Sequence, residues 1–345
     1  MSGREHQLDA GEPAIDLAFA RGGCSRRSFL RVGGALAGAC LWGKAHGEDK
    51  TPPLRIPLGT PASKVARLHS PHVVRGPTLQ ARHLREMLAQ TLEMLTGKSS
   101  TAEAWVEILD HGQVVGLKFN RSGQAALGTS PALAEALIES LLEAGWAPHD
   151  IICIEAPPSV EAYYCTKRAD PGYDREVTDF GSGSDRLATV LNQVDALINI
   201  PFLKAHNIAG FTSCLKNLSY GLIKHPARFH ANGCHPFIAD ICALPAIRGK
   251  LKLCLVDALR MVFDRGPEPQ SDTVFPAGTL IAGFDPVALD AAGLIFVNEL
   301  RAGKGLAPLN KLPIGSGGMP YLARAHRLGL GIALPQGLQL IEKSL

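Results

Sequence analysis

Residues 199–240 hold the densest group of chemically useful side chains in this sequence. Four of the twelve histidines fall in this stretch, together with lysine, arginine and asparagine side chains. The apolar run at residues 196–200 is typical of a buried strand that ends at Pro201. Chemistry on α/β folds lies just beyond the carboxyl ends of strands, so this position predicts a site. Its candidate residues are Lys204, His206, Lys216, Asn217, Arg228, His230 and His235.

These residue types suit proton transfer on a small organic anion. Histidine ordinarily has a pKa near neutral pH, which makes His206 the candidate acid/base catalyst. Cationic side chains at Lys118, Lys204 or Arg228 would hold a carboxylate. Lys216, desolvated in a pocket, would serve as a nucleophile or as the covalent anchor of a cofactor. For each residue taken singly, the alternative is a place in a polar surface loop.

Two further strands bring candidates to the same place. Lys118 and Asn120 lie at the end of the predicted strand 114–120, and Asp257 ends the predicted strand 250–257. Parallel strands place their carboxyl ends on one side of a sheet. We therefore expect one shared substrate site. The residues assigned to substrate binding are Lys118, Asn120, Lys204, Asn217, Arg228 and Asp257.

The expected geometry is a single cleft. We predict that His206, Lys216 and at least one of His230 and His235 converge on it, with Lys118 at its edge. Ten residues separate His206 from Lys216, enough for a loop and a helical turn or two to return toward the strand end.

Simpler structural roles compete for some of these residues. Lys216 and Asn217 would also make an ordinary pair on the surface of a helix. Asp257 would also cap a strand end, and Asp290 would be a carboxylate on a helix face. Asp285, which precedes a proline, is best interpreted as the N-cap of a helix with proline at its first position.

Alternating strand and helix patterns predict an α/β fold with a mostly parallel sheet and helices on both faces. A chain of this size suits either one large α/β unit or two lobes with a cleft between them, and the sequence does not decide between the two. Residues 48–75 are proline-rich and are interpreted as irregular, a tether or a wrapping arm. Residues 157–185 are interpreted as a long excursion and candidate lid. Predicted strands are 114–120, 151–155, 196–200, 250–257 and 279–283, and predicted helices are 78–96, 131–144, 186–193 and 286–299.

The N-terminus has the pattern of an export signal. Arg26 and Arg27 lie in the sequence Ser-Arg-Arg-Ser-Phe-Leu, and a short apolar run follows, with a small-residue exit at residues 45–47. The paired arginines indicate the twin-arginine route, so its translocase is an expected partner and the periplasm or another extracytoplasmic space the expected location. An apolar run of about eleven residues is too short to span a bilayer. Membrane contact is then transient, unless Cys40 is lipidated, which is the alternative.

The chain is divided into a signal peptide at 1–47, an N-terminal extension with a helix at 48–100, and an α/β domain at 101–345. Six of the 35 Lys and Arg residues and four of the 32 Asp and Glu residues fall in the signal peptide. The remainder is almost neutral and has no long basic run, which argues against a nucleic-acid partner. No Cys-x-x-Cys pair is present, so we expect no iron–sulfur cluster. An exported location permits one disulfide bond among Cys165, Cys234 and Cys242, and the sequence alone does not decide which of them would pair.

The ordered motifs of residues 112–312 resemble the family named domain of unknown function 362. They start with the strand at 115–120 and Gly-Thr-Ser-Pro at 128–131. They continue with Pro-Phe-Leu-Lys-Ala-His at 201–206 and Leu-Lys-Asn-Leu at 215–218, and end with Gly-Phe-Asp-Pro-Val-Ala-Leu-Asp-Ala at 283–291. Family members that carry iron–sulfur clusters do so through a fused ferredoxin segment, which is not found in these residues. The resemblance implies no established reaction.

A more distant resemblance is to the nickel-pincer lactate racemases. Residues 206–216, His-Asn-Ile-Ala-Gly-Phe-Thr-Ser-Cys-Leu-Lys, are similar to a segment in which that family carries a catalytic histidine and the lysine that anchors its pyridinium-derived cofactor. The resemblance implies acid/base catalysis by His206, attachment of a nickel-pincer nucleotide at Lys216, and ligation of nickel or another divalent metal by His230 or His235. Residues 212–215 and Asn217 depart from the family pattern.

The predicted function is that of an exported enzyme that acts on a small anionic organic substrate by racemase-like or oxidoreductase-like acid/base chemistry. The competing hypothesis is a non-catalytic periplasmic protein that binds an anionic ligand or a metal with the same residues. A third hypothesis, a simple metal site at His225, His230 and His235, fits the residue types but lacks a close ligand spacing.

Overall fold

A computed structural model describes residues 60–312 and 319–345, and these form a mixed α/β architecture around a large sheet. The predicted signal peptide lies outside the described residues. The described strands are β1 (Ser63–His69), β2 (Val74–Arg75), β3 (Thr78–Leu79), β4 (Val115–Lys118), β5 (Ile151–Ile154), β6 (Thr178–Asp179), β7 (Ser184–Asp185), β8 (Ala196–Asn199), β9 (Phe202–His206), β10 (Gly210–Thr212), β11 (Leu251–Val262), β12 (Val274–Phe275), β13 (Thr279–Gly283) and β14 (Leu338–Ser344).

Ten α-helices are present in the described part of the chain. They are α1 (Ala81–Thr96), α2 (Thr101–Ile108), α3 (Gln124–Leu127), α4 (Ser130–Glu143), α5 (Pro158–Tyr164), α6 (Cys214–Tyr220), α7 (Phe237–Cys242), α8 (Pro245–Arg248), α9 (Pro286–Gly303) and α10 (Pro320–Arg327). None of the described helices has the length and apolar character that crossing a membrane requires.

The central sheet has the strand order β14-β1-β13-β11-β8-β4-β5. The pairs β14–β1, β11–β8, β8–β4 and β4–β5 are parallel, while β13 runs antiparallel to both of its neighbours. The predicted mostly parallel α/β sheet is therefore confirmed. Two lobes with a cleft between them are not shown by this arrangement.

Helices cover both faces of the sheet, as the alternation of buried side chains along β11 demonstrates. Leu253 and Leu255 pack into one apolar core with α1, α2 and α4. Cys254 and Val256, which point to the opposite face, pack into a second core with α6, α7 and α9. Successive strand residues point to opposite faces, so a strand with a core on both sides reads as a continuous apolar run.

Most elements predicted from apolar patterns are present, with shifted ends. The helix predicted at 286–299 runs on to Gly303 and begins as expected, since the Asp285 carboxylate accepts hydrogen bonds from the backbone N–H of Val287 (2.9 Å) and Ala288 (2.8 Å). The strand predicted at 250–257 is longer and extends to Val262.

The interpretation of residues 48–75 as irregular is wrong for part of that stretch. Residues 63–69 form β1, which lies inside the sheet between β14 and β13. The long connection at 157–185, interpreted as a candidate lid, contains helix α5 and strands β6 and β7. The six cysteines of the described residues are free thiols, so no disulfide bond is present among Cys165, Cys234 and Cys242.

One feature of the sheet positions the candidate site. The long strand β11 pairs first with β8 and then, beyond Pro201, with β9. Strands β9 and β10 form an antiparallel hairpin, and α6 follows directly. The hairpin and α6 therefore stand just beyond the carboxyl end of β8, where the sequence placed the site.

Candidate functional site

The carboxyl ends of β4 and β8 mark the topological switch point of the sheet. From β4 the chain passes over one face, through α4, to the edge strand β5; from β8 it passes over the other face, through α6 and α7, to β11. Ligands of open α/β sheets bind in the crevice at such a point. Lys118 and Asn199, the last residues of β4 and β8, are paired across it.

A network of buried polar side chains fills this position, and we call Lys118, Glu155, Asn199 and Asn217 the strand-end network. The Lys118 ammonium donates to Glu155 Oε2 (2.8 Å), to the Phe119 carbonyl (2.7 Å) and to Asn217 Oδ1 (3.2 Å). The Asn217 amide donates to Asn199 Oδ1 (2.8 Å) and to the Lys118 carbonyl (3.3 Å). Asn199 in turn donates to the Cys214 carbonyl (3.1 Å).

These contacts give Lys118 and Asn217 a structural role, contrary to the substrate-binding role expected for them. An ammonium group has three N–H donors, and all three of Lys118 are engaged. The side chain is also fully buried. A Cβ placed on Gly221 would lie 2.3 Å from Lys118 Nζ, which shows how closely the lysine passes over the end of α6.

A second group lies on the β9–β10 hairpin. Leu203, Ala205 and Phe211 point into the apolar core. Side chains alternate along a strand, so Lys204 and His206 lie on the other face of the hairpin, and Thr212 shares that face because it pairs directly with Lys204. With Lys216 of α6 and His230, we call Lys204, His206, Lys216 and His230 the hairpin-face cluster.

Lys204 is buried among neutral acceptors. Its Nζ donates to the Ser122 carbonyl (2.6 Å) and to Ser122 Oγ (3.3 Å), and lies 3.5 Å from Asn120 Oδ1. Asn120 therefore holds Lys204 and does not stand apart as a separate substrate contact. Desolvation lowers the pKa of Lys204 to about 8, while Glu268 acts in the opposite direction.

His206 is locked in one neutral form. Its Nδ1 accepts hydrogen bonds from the backbone N–H of Ile208 (3.0 Å) and Ala209 (3.1 Å). An acceptor nitrogen carries no proton, so the neutral ring carries its proton on Nε2. Burial first, and then the charge of Lys216, lowers the pKa of His206 to about 2. The expectation that His206 titrates near neutral pH is therefore wrong: it is a fixed hydrogen-bond donor.

His230 has the complementary form. Its Nδ1 lies 3.0 Å from the Pro226 carbonyl, which can only accept, so Nδ1 carries the proton and Nε2 offers a lone pair when the ring is neutral. The His230 ring stacks on that of His206, with ring centroids 6.0 Å apart. Burial and the charge of Lys216 lower the pKa of His230. The half-buried His230 is thus the better proton acceptor of the pair.

Lys216 differs from the other two lysines because it has no hydrogen-bond acceptor or carboxylate partner among the described residues. Its ammonium lies 4.6 Å from the centre of the Tyr220 ring, and that ring lies edge-on to His230 at 5.0 Å. Desolvation lowers the pKa of Lys216, partly offset by the neighbouring Cys234. The side chain is half-buried, so it is not an ordinary surface lysine.

A carboxylate that the sequence analysis left as a helix-face residue positions α6. Asp290 lies on α9, is buried, and accepts hydrogen bonds from the backbone N–H of Cys214 (2.6 Å) and Leu215 (3.2 Å), the first two residues of α6. Its burial raises its pKa to about 7. The Asp-x-x-x-x-Asp spacing at 285 and 290 is a signal for this arrangement: one carboxylate caps its own helix and the other caps the helix that carries Lys216.

Of three further candidates, Asp257 and Arg228 lie apart from the cluster. Asp257 accepts a hydrogen bond from Thr129 Oγ1 (2.5 Å) on the α4 side of the sheet, and burial raises its pKa to about 6. Arg228 is exposed and lies over the Phe229 ring at 5.2 Å. His235 is half-buried just before α7. The side chains of His206, Lys216 and His230 therefore lie near one another, whereas Lys118 belongs to the strand-end network, and a cleft at this place is not shown.

A separate cavity of about 560 Å³ opens at the carboxyl end of β5. Its wall combines apolar side chains such as Ile154 with Arg121, Glu161 and Arg168. Glu155 also lines it, and the same carboxylate holds Lys118, so the cavity borders the strand-end network. The hairpin-face cluster does not line it.

Comparisons with known proteins confirm the family resemblance for part of the chain. The family model described as "Domain of unknown function (DUF362)" matches residues 170–294. That segment includes the hairpin, α6 and Asp290 but not Lys118. No curated protein matches the chain. None of these comparisons bears on the resemblance to lactate racemases.

Among solved structures, a crystal structure of a Thermotoga maritima protein from the Northeast Structural Genomics Consortium is similar over 68% of this chain, at 13% sequence identity and a TM-score of 0.34. The match covers 61% of that protein's chain, less than two thirds of its length.

Proposed function

We propose that the protein is an enzyme that binds a small organic anion at the hairpin-face cluster and transfers a proton with His230. One observation carries the proposal: Lys204 and Lys216 bring two positive charges to one face of the hairpin, and neither forms an ion pair within the described residues. A buried charge is costly unless a partner compensates it. An anionic ligand would supply the missing charge.

The two histidines then have different roles. His206 presents its Nε2–H as a donor that stays neutral at physiological pH, and a neutral imidazole of this kind can polarise an oxygen atom of a substrate. The half-buried His230 presents an unprotonated Nε2, which suits a general base. This division replaces the expected assignment of catalysis to His206 and metal binding to His230.

The described side chains do not assemble a nickel site. The resemblance implies nickel on His230 or His235, and His230 offers an unprotonated Nε2, but a metal site needs several ligands. Within residues 60–312 and 319–345, no group of three or more His, Cys, Asp or Glu side chains is arranged to hold a metal ion. We derive no step through such a cofactor.

Export by the twin-arginine route remains part of the proposal and rests on Arg26 and Arg27. Replacing both with lysine should leave the precursor in the cytoplasm, measured by cell fractionation. Normal export of that variant would contradict the assignment. N-terminal sequencing of the exported protein distinguishes cleavage after Gly47 from a lipidated N-terminus at Cys40.

The anion site is tested by calorimetric titration with lactate, malate and inorganic phosphate. We expect at least one of them to bind the wild-type protein, and Lys216→Met to abolish that binding because it removes the accessible charge. Lys224→Met is the matched control, since Lys224 is exposed and lies outside the cluster. Equal affinity in Lys216→Met and wild type, or no binding of any anion, would overturn the proposal.

The competing hypothesis, a non-catalytic binding protein, shares the same cluster. The binding-protein hypothesis is favoured if the ligand binds to the wild-type protein and His230→Gln changes only the affinity for that ligand. Exchange of the Cα hydrogen of lactate with deuterated water, followed by proton NMR, separates the two. Exchange in the wild type that is lost in His230→Gln supports an enzyme.

A further inference from the structure

We infer that Lys216 is a nucleophile that forms an imine with a 2-oxo acid, a carboxylic acid with an adjacent carbonyl group. The inference rests on the proposed function, because it names the substrate class for the same anion site. It adds a covalent step that anion binding alone does not require.

The contrast between the two lysines of the cluster indicates which one reacts. Lys204 is 1% exposed, and its N–H donors are directed at Ser122 and Asn120. These hydrogen bonds hold its ammonium in place, so Lys204 contributes positive charge to the site but is not free to attack a substrate. Lys216 is half-buried, lies over the face of the Tyr220 ring, and makes no hydrogen bond or ion pair within the described residues. No acceptor in the described part of the chain holds its protons in place, so it can lose one.

Lys216 also has the environment that activates an amine. A lysine becomes nucleophilic at neutral pH when it is desolvated and lies near another positive charge. Desolvation lowers the pKa of Lys216, and the positive charge of Lys216 in turn lowers the pKa of Lys204, so the two ammonium groups belong to one electropositive region. The geometry and the direction of the pKa therefore agree.

The same face of the hairpin carries donors for the carboxylate of the substrate. The Thr212 hydroxyl is buried, and Thr212 is 3% exposed, yet its Oγ1 has no hydrogen-bond partner in the described residues. Buried hydroxyl groups are ordinarily hydrogen-bonded. Thr212 pairs with Lys204 across the hairpin, and His206 next to it offers its Nε2–H. Together they form an unfilled set of donors beside Lys216.

The step balances without an added oxidant or reductant. The neutral Lys216 amine attacks the carbonyl carbon and forms a carbinolamine. His230 Nε2 accepts the proton released by the nitrogen and returns it to the departing hydroxyl group. The C–O bond breaks, one water molecule leaves, and the C=N bond of the imine remains.

The experiment traps this imine. The full-length mature protein is incubated with pyruvate and sodium cyanoborohydride, which reduces the C=N bond, and the intact mass is measured. We expect a gain equal to one pyruvic acid less one oxygen atom, and peptide mapping should place it on Lys216. Lactate, which has no carbonyl group, should give no adduct.

Lys216→Arg keeps the positive charge but is not a nucleophile, so it should give no adduct. Lys224→Arg should react like the wild type. A Lys216→Arg melting temperature close to that of the wild type shows that the fold is retained, and peptide mapping of the wild type tests the inference even if this variant does not fold.

The outcomes separate the two proposals. Pyruvate that binds in calorimetry but leaves no adduct, or an adduct on Lys204 or on several surface lysines, overturns the imine inference and leaves the anion site standing. Failure of every anion tested, namely pyruvate, lactate, malate and inorganic phosphate, to bind overturns the proposed function itself. An adduct confined to Lys216 supports both.

Discussion

The strand-end network and the hairpin-face cluster both contain lysine in a polar setting beyond a strand end, but they differ in how their polar groups are satisfied. In the strand-end network, Lys118 donates to three acceptors, and one of them is the Glu155 carboxylate at 2.8 Å. In the hairpin-face cluster, neither the two lysines nor the two histidines make a hydrogen bond to a carboxylate within the described chain. The first arrangement stabilises the fold, and the second leaves charge and donors for a ligand.

The boundary between the two regions falls between adjacent residues of α6. Asn217 points into the strand-end network, and Lys216 belongs to the cluster. Neighbouring helix residues point about 100° apart, since a helix has 3.6 residues per turn. One short helix therefore anchors the sheet on one side and presents a reactive lysine on the other, with Asp290 fixing its first turn.

The largest expected difference between the regions is in stability. Lys118→Met should lower the free energy of unfolding by about 2–4 kcal/mol, because it leaves Glu155 and Asn217 without their shared donor. Lys216→Met should be neutral or stabilising by up to about 1 kcal/mol, since it removes an unpaired, partly buried charge. Urea unfolding at neutral pH measures both.

These two variants are matched in the side chain removed and the side chain introduced. A loss of several kcal/mol in Lys216→Met would mean that Lys216 holds the structure together. A negligible effect of Lys118→Met would mean that the strand-end network is not a stabilising element, and the comparison would then fail.

The second expected difference is in the response to acid. Burial lowers the pKa of His206 from 6.5 in the unfolded chain to about 2 in the folded protein. Between those values the unfolded chain binds a proton that the folded protein does not. His206 therefore makes stability fall as the pH drops below about 6.5, by about 1.4 kcal/mol per pH unit. His206→Gln removes this dependence, and its amide oxygen can still accept the two backbone N–H groups.

The measurement is the free energy of unfolding at pH 6.5 and pH 4.5 for both proteins. Asp290, whose pKa burial raises to about 7, has the opposite effect, because a carboxyl group that is protonated more readily in the folded state stabilises it as the pH falls. Asp290 is present in both proteins, so it cancels in the comparison. Equal pH dependence of wild type and variant would show that folded His206 accepts a proton.

The smallest effect is expected for Arg228, which the sequence assigned to substrate binding. Its guanidinium is exposed and makes one long hydrogen bond, 3.5 Å, to the Ser184 carbonyl. Arg228→Ala should change neither stability nor the free energy of anion binding by more than about 0.5 kcal/mol. Calorimetric titration checks this, and a tenfold loss of affinity would return Arg228 to the site.

Periodicity and capping patterns predicted much of the fold. The helix after Asp285, the strands at 151 and 196 and the mostly parallel sheet follow from local signals, since a doubly covered strand is apolar throughout and a helix start needs a capping oxygen. Strand β1 was missed because the proline-rich residues around it dominate the local composition, while its place between β13 and β14 depends on partners more than 200 residues away.

The candidate site was predicted in position but not in detail. Residues His206, Lys216 and His230 do come together, as their place after a strand indicated. The roles could not be predicted, because the proton position on each histidine depends on the group that meets its Nδ1: two backbone N–H groups for His206 and a carbonyl for His230.

The sequence by itself determined that this chain builds an α/β sheet with polar chemistry beyond the end of β8, because apolar periodicity and strand-end position are local properties. Only the tertiary structure decided which lysines are structural and which are available. That distinction depends on what the ammonium group meets: Glu155 for Lys118, Ser122 for Lys204 and the Tyr220 ring for Lys216. The partners of Lys118 and Lys204 are distant from them in sequence, so only the folded chain brings these groups together. Burial then set the pKa values, since desolvation depends on everything packed around a charge.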